Sequence, residues 1–284
     1  MTGGGPATPR AGVEPSRSVP SADGTPIAVF TSGTGPPLVL IHGAAADHTT
    51  FRVVGPLLGA SFTVHAIDRR GRGASGDTAP YAIEREYEDV AAVASKLARD
   101  ADAPVDVFGH SYGGRCALGA ALVTPDIGRV ISYEGAPTPA GERYGDAALA
   151  TDLAALAASG RNQLLLETFL THVVGMTADE LDRYRADPVW PRRVAAAATI
   201  ARELAVESGD AAGLEHLARV RQPVLQLLGA DSRSEFGAAT AALHDRLEAG
   251  SIVVIRGAKH AAHHTHPAAV VEAVTAFLGA PRPP

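Results

Sequence analysis

Apolar residues along this chain repeat with two different periods, and the switches between them mark the elements. Short β-branched runs bounded by Gly and Pro predict strands over 25–31, 37–41 and 62–67, with a helix over 49–58 before the last of them. Residues 83–99 carry Ile83, Tyr87, Val90, Ala94 and Leu97 at three- and four-residue steps, which predicts an amphipathic helix. A strand over 105–108, a helix over 112–122 and a strand over 130–133 follow. From about 141 to 220 no strand-like run occurs. Within that stretch Thr177-Ala-Asp-Glu180 has the form of a capping box, and Pro191 ahead of an alanine-rich run predicts another helix start. The alternation then resumes, with strands over 223–228 and 252–255 and helices over 234–247 and 267–278.

Strands separated by helices imply an α/β protein with a mostly parallel sheet covered on both faces. The long helical stretch exceeds an ordinary connection and reads as an inserted cap. The expected division is a tail over 1–18, a core over 19–140 and 216–280, and a helical cap over 141–215. The tail is rich in Gly, Pro and Ser, has no apolar face to bury, and is expected to be disordered.

Composition narrows the function classes. A net charge of −6 gives no electrostatic footprint for nucleic acid or an anionic membrane, so the expected partner is a small molecule. Cys116 is the single cysteine, which excludes an intrachain disulfide and fits a reducing compartment. No run of about 18 apolar residues occurs, and the N-terminal stretch lacks the apolar centre of a secretory signal. The expected location is the cytoplasm. The oligomeric state is left open.

The chemistry-bearing signal is Gly109-His-Ser111-Tyr-Gly113, a G-x-S-x-G placed after an apolar strand and before a helical run. A sharp turn there lifts the serine hydroxyl out at the carboxyl end of the sheet, and the following helix aims free N–H groups at the same spot. With this motif the chain resembles the α/β-hydrolase superfamily over nearly all of residues 20–280, the helical cap then following the family's sixth strand. Further landmarks support the likeness: Leu38-Val-Leu-Ile-His42-Gly43 and the Asp68-Arg-Arg-Gly-Arg-Gly73-Ala-Ser75 turn. The resemblance implies oxyanion-hole N–H groups at Ala44 and Tyr112, each worth about 3 kcal/mol. It implies structural roles for His42 and for the Asp68 turn.

The last landmark, Ile252-Val-Val-Ile-Arg-Gly257-Ala-Lys-His260, puts His260 where the family keeps its catalytic base, in the chain order nucleophile first and histidine last. His263, His264 and His266 crowd the same loop; no carboxylate or cysteine stands beside them in sequence, so they read as loop or helix-start residues rather than metal ligands. The triad acid has two candidates. Asp231 follows the seventh strand but sits one residue early for the family's G-x-x-D, where Ser232 stands. Glu134 ends the sixth strand, and a carboxylate ending an apolar strand needs a partner such as His260. Glu134 is the preferred reading and Asp231 the alternative. A serine nucleophile implies ester, lactone, thioester or amide hydrolysis through an acyl-enzyme, with no cofactor and no metal. Non-hydrolytic chemistry on the same fold (a lyase, carbon–carbon hydrolase or cofactor-free haloperoxidase-like enzyme) and a ligand-binding receptor with little turnover are the alternatives. Phe169, Tyr184 and Trp190 are read first as packing residues of the cap helices, and second as pocket lining.

Overall fold

Eight strands form one sheet in the computed structural model, which describes residues 14–139, 147–207 and 209–280. They are β1 (Arg17–Pro20), β2 (Pro26–Ser32), β3 (Pro37–Ile41), β4 (Thr63–Ile67), β5 (Val105–His110), β6 (Ile127–Tyr133), β7 (Val224–Gly229) and β8 (Gly250–Ile255). Their order across the sheet is β1-β2-β4-β3-β5-β6-β7-β8. β2 runs antiparallel to β1 and β4, and every other pairing is parallel. β3 is buried from Leu38 to Ile41 and β5 from Val105 to Gly109, as expected of parallel strands covered on both faces.

β1 corrects the sequence reading. Arg17 and Ser18, assigned to the tail, pair with Val29 and Ala28. A four-residue strand with one buried position, Val19, leaves no readable alternation; it exists because the open edge of β2 offers it a ladder. Residues 1–13 of the expected tail, and 141–146 at the start of the expected cap, lie outside the described residues.

The helices are α1 (Val54–Leu58), α2 (Ile83–Ala101), α3 (Tyr112–Val123), α4 (Ala147–Ala158), α5 (Asn162–Phe169), α6 (Ala178–Arg185), α7 (Trp190–Ala196), α8 (Thr199–Val206), α9 (Leu214–Leu217), α10 (Ser234–His244), α11 (Ala262–Thr265) and α12 (Pro267–Gly279). The helix expected over 49–58 is split into a 3-10 turn, His48–Phe51, and α1. Pro56 has no N–H to return to the carbonyl of Arg52, which favours the break. α2, α3, α9 and α10 cover one face of the sheet through a core that includes Tyr87, Leu97, Leu118 and Leu243. α1 and α12 cover the other through Val54, Leu58, Val270 and Val274.

Helices α4 to α8 are an insertion between β6 and β7. It has its own apolar cluster, in which Leu165, Phe169, Trp190 and Ile200 pack with Ala45 from the loop after β3. Thr177 and Glu180 close the capping box of α6, each side chain answering the other's backbone N–H. Among the described residues no helix is long and apolar enough to cross a membrane.

Charge, as well as apolar packing, fastens this insertion to the sheet. The turn after β4 buries three arginines, Arg69, Arg70 and Arg72. Arg70 binds Asp89 of α2 at 2.7 Å. Arg69 donates both to Glu86 of α2 and to Glu203 of α8, at 2.7 Å each. Arg72 joins the same two carboxylates. Burial by itself would raise the Glu86 carboxyl, but the Arg69 and Arg72 guanidiniums overcome it and hold the group at about 2. Nearer the loop after β3, Asp47 accepts from Arg192 at 2.5 Å and from the buried Arg193 at 3.0 Å, both on α7.

Removing one member of a buried charge network strands the others without compensation, at a cost of about 3–5 kcal/mol. Arg69→Met is therefore expected to lower the melting temperature by roughly 6 °C or more, at 2–4 °C per kcal/mol for a domain of this size. A thermal melt followed by circular dichroism checks it. An unchanged midpoint would mean that the arginine layer adds nothing to stability.

Candidate active site

Ser111 stands between β5 and α3 with φ 53° and ψ −125°, a backbone state that a residue with a Cβ adopts only under constraint. Its N–H donates to Tyr133 O at 2.7 Å, and its carbonyl accepts from Gly114 N at 2.8 Å. The turn closes because strand and helix touch through glycine. A Cβ on Gly109 would run into the carbonyl of Gly113, and one on Gly113 into the carbonyl of Ile41. Gly43 faces the serine itself; a Cβ there would come 3.1 Å from Ser111 Cβ. Tyr112 is the first residue of α3, so its N–H lies in the unpaired first turn. Ala44 and Tyr112 line the same pocket as Ser111.

Glu134 follows β6 directly, also at positive φ, 47°. Its Oε2 meets His260 Nδ1 at 2.5 Å, with both side chains buried. Its Oε1 accepts from Gly229 N at 2.8 Å and from Ser232 Oγ at 2.5 Å. Asp231 is exposed, and its N–H donates to Ala258 O. The structure thus joins Glu134 rather than Asp231 to His260. The residue at the G-x-x-D position, Ser232, is a hydrogen-bond donor to the glutamate.

The loop carrying His260 is held from three sides. Tyr133 Oη donates to Lys259 O and accepts from Ala262 N. His110 Nε2 bonds His260 O at 2.8 Å, linking the serine turn to the histidine loop. Phe236 of α10 stacks on the His260 ring at 4.4 Å and 20°. His42 is fully buried, with Nε2 accepting from Arg69 N at 3.0 Å and Nδ1 against Gly43 O. Burial and the Arg69 and Arg72 charges hold it well below the usual imidazole range, so it is neutral scaffolding for the loop after β3.

His263 packs on His110 at 4.2 Å between ring centres, and His264 on His263 at 4.3 Å. The one set of three candidate metal ligands among the described residues lies elsewhere, at Asp47, His48 and Asp68. Asp47 is taken by Arg192, Arg193 and Thr49; Asp68 accepts from His48 N and Ala74 N. Carboxylates so engaged fit a hydrogen-bonded scaffold better than a metal centre.

Ser111, Glu134 and His260 share one cavity of about 40 Å³, room for a few water-sized groups. Phe169, Val173, Ile200 and Leu204 of the insertion form an apolar wall, and Arg115, Glu203 and Glu207 a polar one. Of the three insertion aromatics, Phe169 lines the pocket. Tyr184 and Trp190 pack edge to face at 5.7 Å.

Sequence reasoning did not find Ser232, His110, Phe236 or Glu203 as site residues. His110 lay in plain view inside the motif, but at a position where any residue is allowed. Phe236 and Glu203 sit in helices whose contacts with the site are tertiary, and no local pattern announces them.

Residues 38–273 match the model of the alpha/beta hydrolase family. A pimeloyl-(acyl-carrier protein) methyl ester esterase of Neisseria meningitidis serogroup B is 29% identical over 236 residues, covering 80% of this chain and 86% of the relative. The crystal structure of an alpha/beta hydrolase from Sphaerobacter thermophilus superposes with a TM-score of 0.79 at 33% identity, covering 92% of this chain and all of that one. An enol-lactonase from Burkholderia xenovorans shares the fold, with a TM-score of 0.75 at 21% identity over 93% of this chain and all of that one.

The buried histidines set a pH limit. Burial, full for His42 and His263 and partial for His110, holds all three well below 6.5, helped in turn by Arg69, His260 and His110. Below 6.5 the unfolded chain binds protons at these sites that the folded chain refuses, so stability falls with falling pH. The loss is about 1.4 kcal/mol per pH unit for each histidine until its folded value is reached. Melting temperatures should therefore be level from pH 7 to 8 and drop steadily from pH 6 to 4.5. His263→Asn should flatten part of that slope, and an unaltered slope would show that His263 does not contribute.

Proposed function

Because the chain belongs to the alpha/beta hydrolase family, we propose that it cleaves an ester, lactone or thioester of a small molecule through an acyl-enzyme on Ser111. The observation that carries this reading is the 2.5 Å bond between Glu134 Oε2 and His260 Nδ1, made in the cavity that the strained Ser111 lines. Nδ1 is engaged there, which leaves Nε2 as the nitrogen that serves the serine. The Ser111 hydroxyl oxygen attacks the carbonyl carbon while His260 Nε2 accepts its proton. Charge develops on the carbonyl oxygen against the N–H groups of Ala44 and Tyr112. The carbon–oxygen or carbon–sulfur bond of the leaving group breaks, and His260 returns the proton to that group. A water then repeats the sequence on the acyl-enzyme and releases the acid. Glu134 stabilises the imidazolium and fixes its tautomer without itself taking the proton.

The insertion α4 to α8 acts as the cap in this reading. Its apolar wall excludes water from the acyl-enzyme and limits the substrate's size. The names of the relatives, a pimeloyl-(acyl-carrier protein) methyl ester esterase and an enol-lactonase, agree with an oxygen ester as the bond that is cleaved.

Three substitutions test the assignment on a panel of p-nitrophenyl and methyl esters. Ser111→Ala should lower kcat by at least about 10⁴-fold in a folded protein and abolish labelling by a fluorophosphonate. Glu134→Gln should lower kcat by about 10³- to 10⁴-fold with little change in KM, because it acts through His260. Asp231→Asn should cost far less. Normal turnover by a folded Ser111→Ala protein overturns the mechanism. A crippled Asp231→Asn beside a healthy Glu134→Gln would move the acid to β7.

A further inference from the structure

The polar wall of the cavity holds a carboxylate whose two oxygens have different surroundings. Glu203 arrives on α8, is 1% exposed, and lines the cavity that contains Ser111. Its Oε1 accepts from Arg69 and Arg72. Its Oε2 is fully buried and has no hydrogen-bond partner among the described residues. A buried acceptor left unmatched costs about 1–3 kcal/mol, and more when charged. An unmatched buried acceptor calls for an explanation, and one is a ligand that supplies the missing donor.

The neighbours say what kind of donor fits. Glu207, the residue that caps the C-terminus of α8, also lines the cavity and binds Arg115 at 3.0 Å. Burial raises its carboxyl despite the Arg115 charge. Tyr112 carries the Arg69 guanidinium over its ring at 4.6 Å, and its hydroxyl meets that of Tyr81 at 3.1 Å. In this ion-paired wall Arg69, Arg72 and Arg115 meet Glu86, Glu203 and Glu207, three guanidiniums against three carboxyl groups. An added ammonium would break that balance in a desolvated place, as would an added carboxylate. A neutral donor satisfies Oε2 and leaves the balance intact.

We infer that Glu203 is a specificity-determining residue of the pocket, and that the substrate is a small ester or lactone bearing a hydroxyl group, bound through Glu203 Oε2, away from the scissile carbonyl. This rests on the hydrolase reading above. The apolar wall from Phe169, Val173, Ile200 and Leu204 takes the hydrocarbon part, while Glu203 fixes the hydroxyl and so the register of the carbonyl over Ser111. A site built to bind a hydroxyl discriminates against the analogue that lacks it far more sharply than an apolar pocket discriminates by size.

The test is a matched series of methyl esters of three- to six-carbon acids, each ending in methyl, hydroxyl, ammonium or carboxylate. kcat/KM is measured for the wild-type enzyme. At the fitting chain length the hydroxyl member should exceed its methyl-ended isostere by about 10- to 100-fold. The ammonium and carboxylate members should fall below the hydroxyl. In Glu203→Gln, whose folding is checked by circular dichroism, the hydroxyl preference should shrink by at least about fivefold. Ester turnover with no hydroxyl preference at any length overturns the inference. So does a preference for the ammonium or the carboxylate, or a preference that survives intact in Glu203→Gln. Should that variant not fold, the wild-type selectivity decides. The same series titrated calorimetrically into the Ser111→Ala protein separates the two readings. Tighter binding of the hydroxyl member with no wild-type ester turnover would remove the mechanism and keep the pocket assignment.

Discussion

Everything at this site depends on how closely β5 and α3 approach one another. A serine at φ 53° sits outside the wells that a side-chain-bearing residue prefers, and such strain of order 1–3 kcal/mol persists only where the surroundings leave no alternative. Here the surroundings are two glycine contacts, Gly109 on Gly113 and Gly113 on the β3 carbonyl, together with the Ser111 N–H bound to Tyr133 O. The same Tyr133 ends β6, and its hydroxyl holds the loop of His260 on both sides of the histidine. The residue after it is Glu134. One strand end therefore fixes the Ser111 backbone, the His260 loop and the carboxylate that binds His260.

This explains how a carboxylate after β6 reaches a histidine in the loop after β8. Glu134 N–H bonds Leu227 O, and Glu134 Oε1 accepts from Gly229 N, so its side chain lies across the end of β7. Ser232 completes the arrangement by donating to the same oxygen. The end of β7 thus supplies hydrogen-bond donors to the carboxylate that meets His260. Positive φ at Glu134 is part of the cost, since it turns the side chain back over the sheet.

The elbow, the order of the core elements and the placing of Ser111 and His260 around one cavity were legible because each is written in local pattern: a strand, a glycine-flanked serine, a helix. The one-residue offset of Asp231 was also legible as an anomaly, a serine where an aspartate belongs, but its resolution needed the lateral packing of β6 on β7. β1 was hidden because four edge residues carry no period. His110 was hidden because its role is to bond a carbonyl 150 residues away. The pocket's polar wall was the least legible of all. Arg115, Glu203 and Glu207 come from two helices on either side of the insertion boundary, and nothing in either helix's own periodicity requires a charge to point inward.

That wall bears on why the insertion is tied down by ion pairs at all. Well-packed apolar residues would give as much stability as buried arginine–carboxylate pairs, because desolvating the charges consumes most of their attraction. What ion pairs give instead is a fixed register, since each guanidinium fork meets its carboxylate in few geometries. Both clamps of this insertion end on parts of the site. Arg193 holds Asp47, three residues beyond Ala44, whose N–H faces the pocket in the proposed mechanism. Arg69 and Arg72 hold Glu203, which lines the pocket, and Arg69 also covers the Tyr112 ring. A sliding apolar interface would let α7 and α8 shift along the sheet by fractions of a turn at little cost. The charge clamps tie such a shift to the loss of a buried pair, so the polar wall of the cavity and the loop that carries Ala44 keep one spacing. In the proposed mechanism the polar layer is therefore better understood as setting the distance between the two ends of the substrate than as holding the fold together.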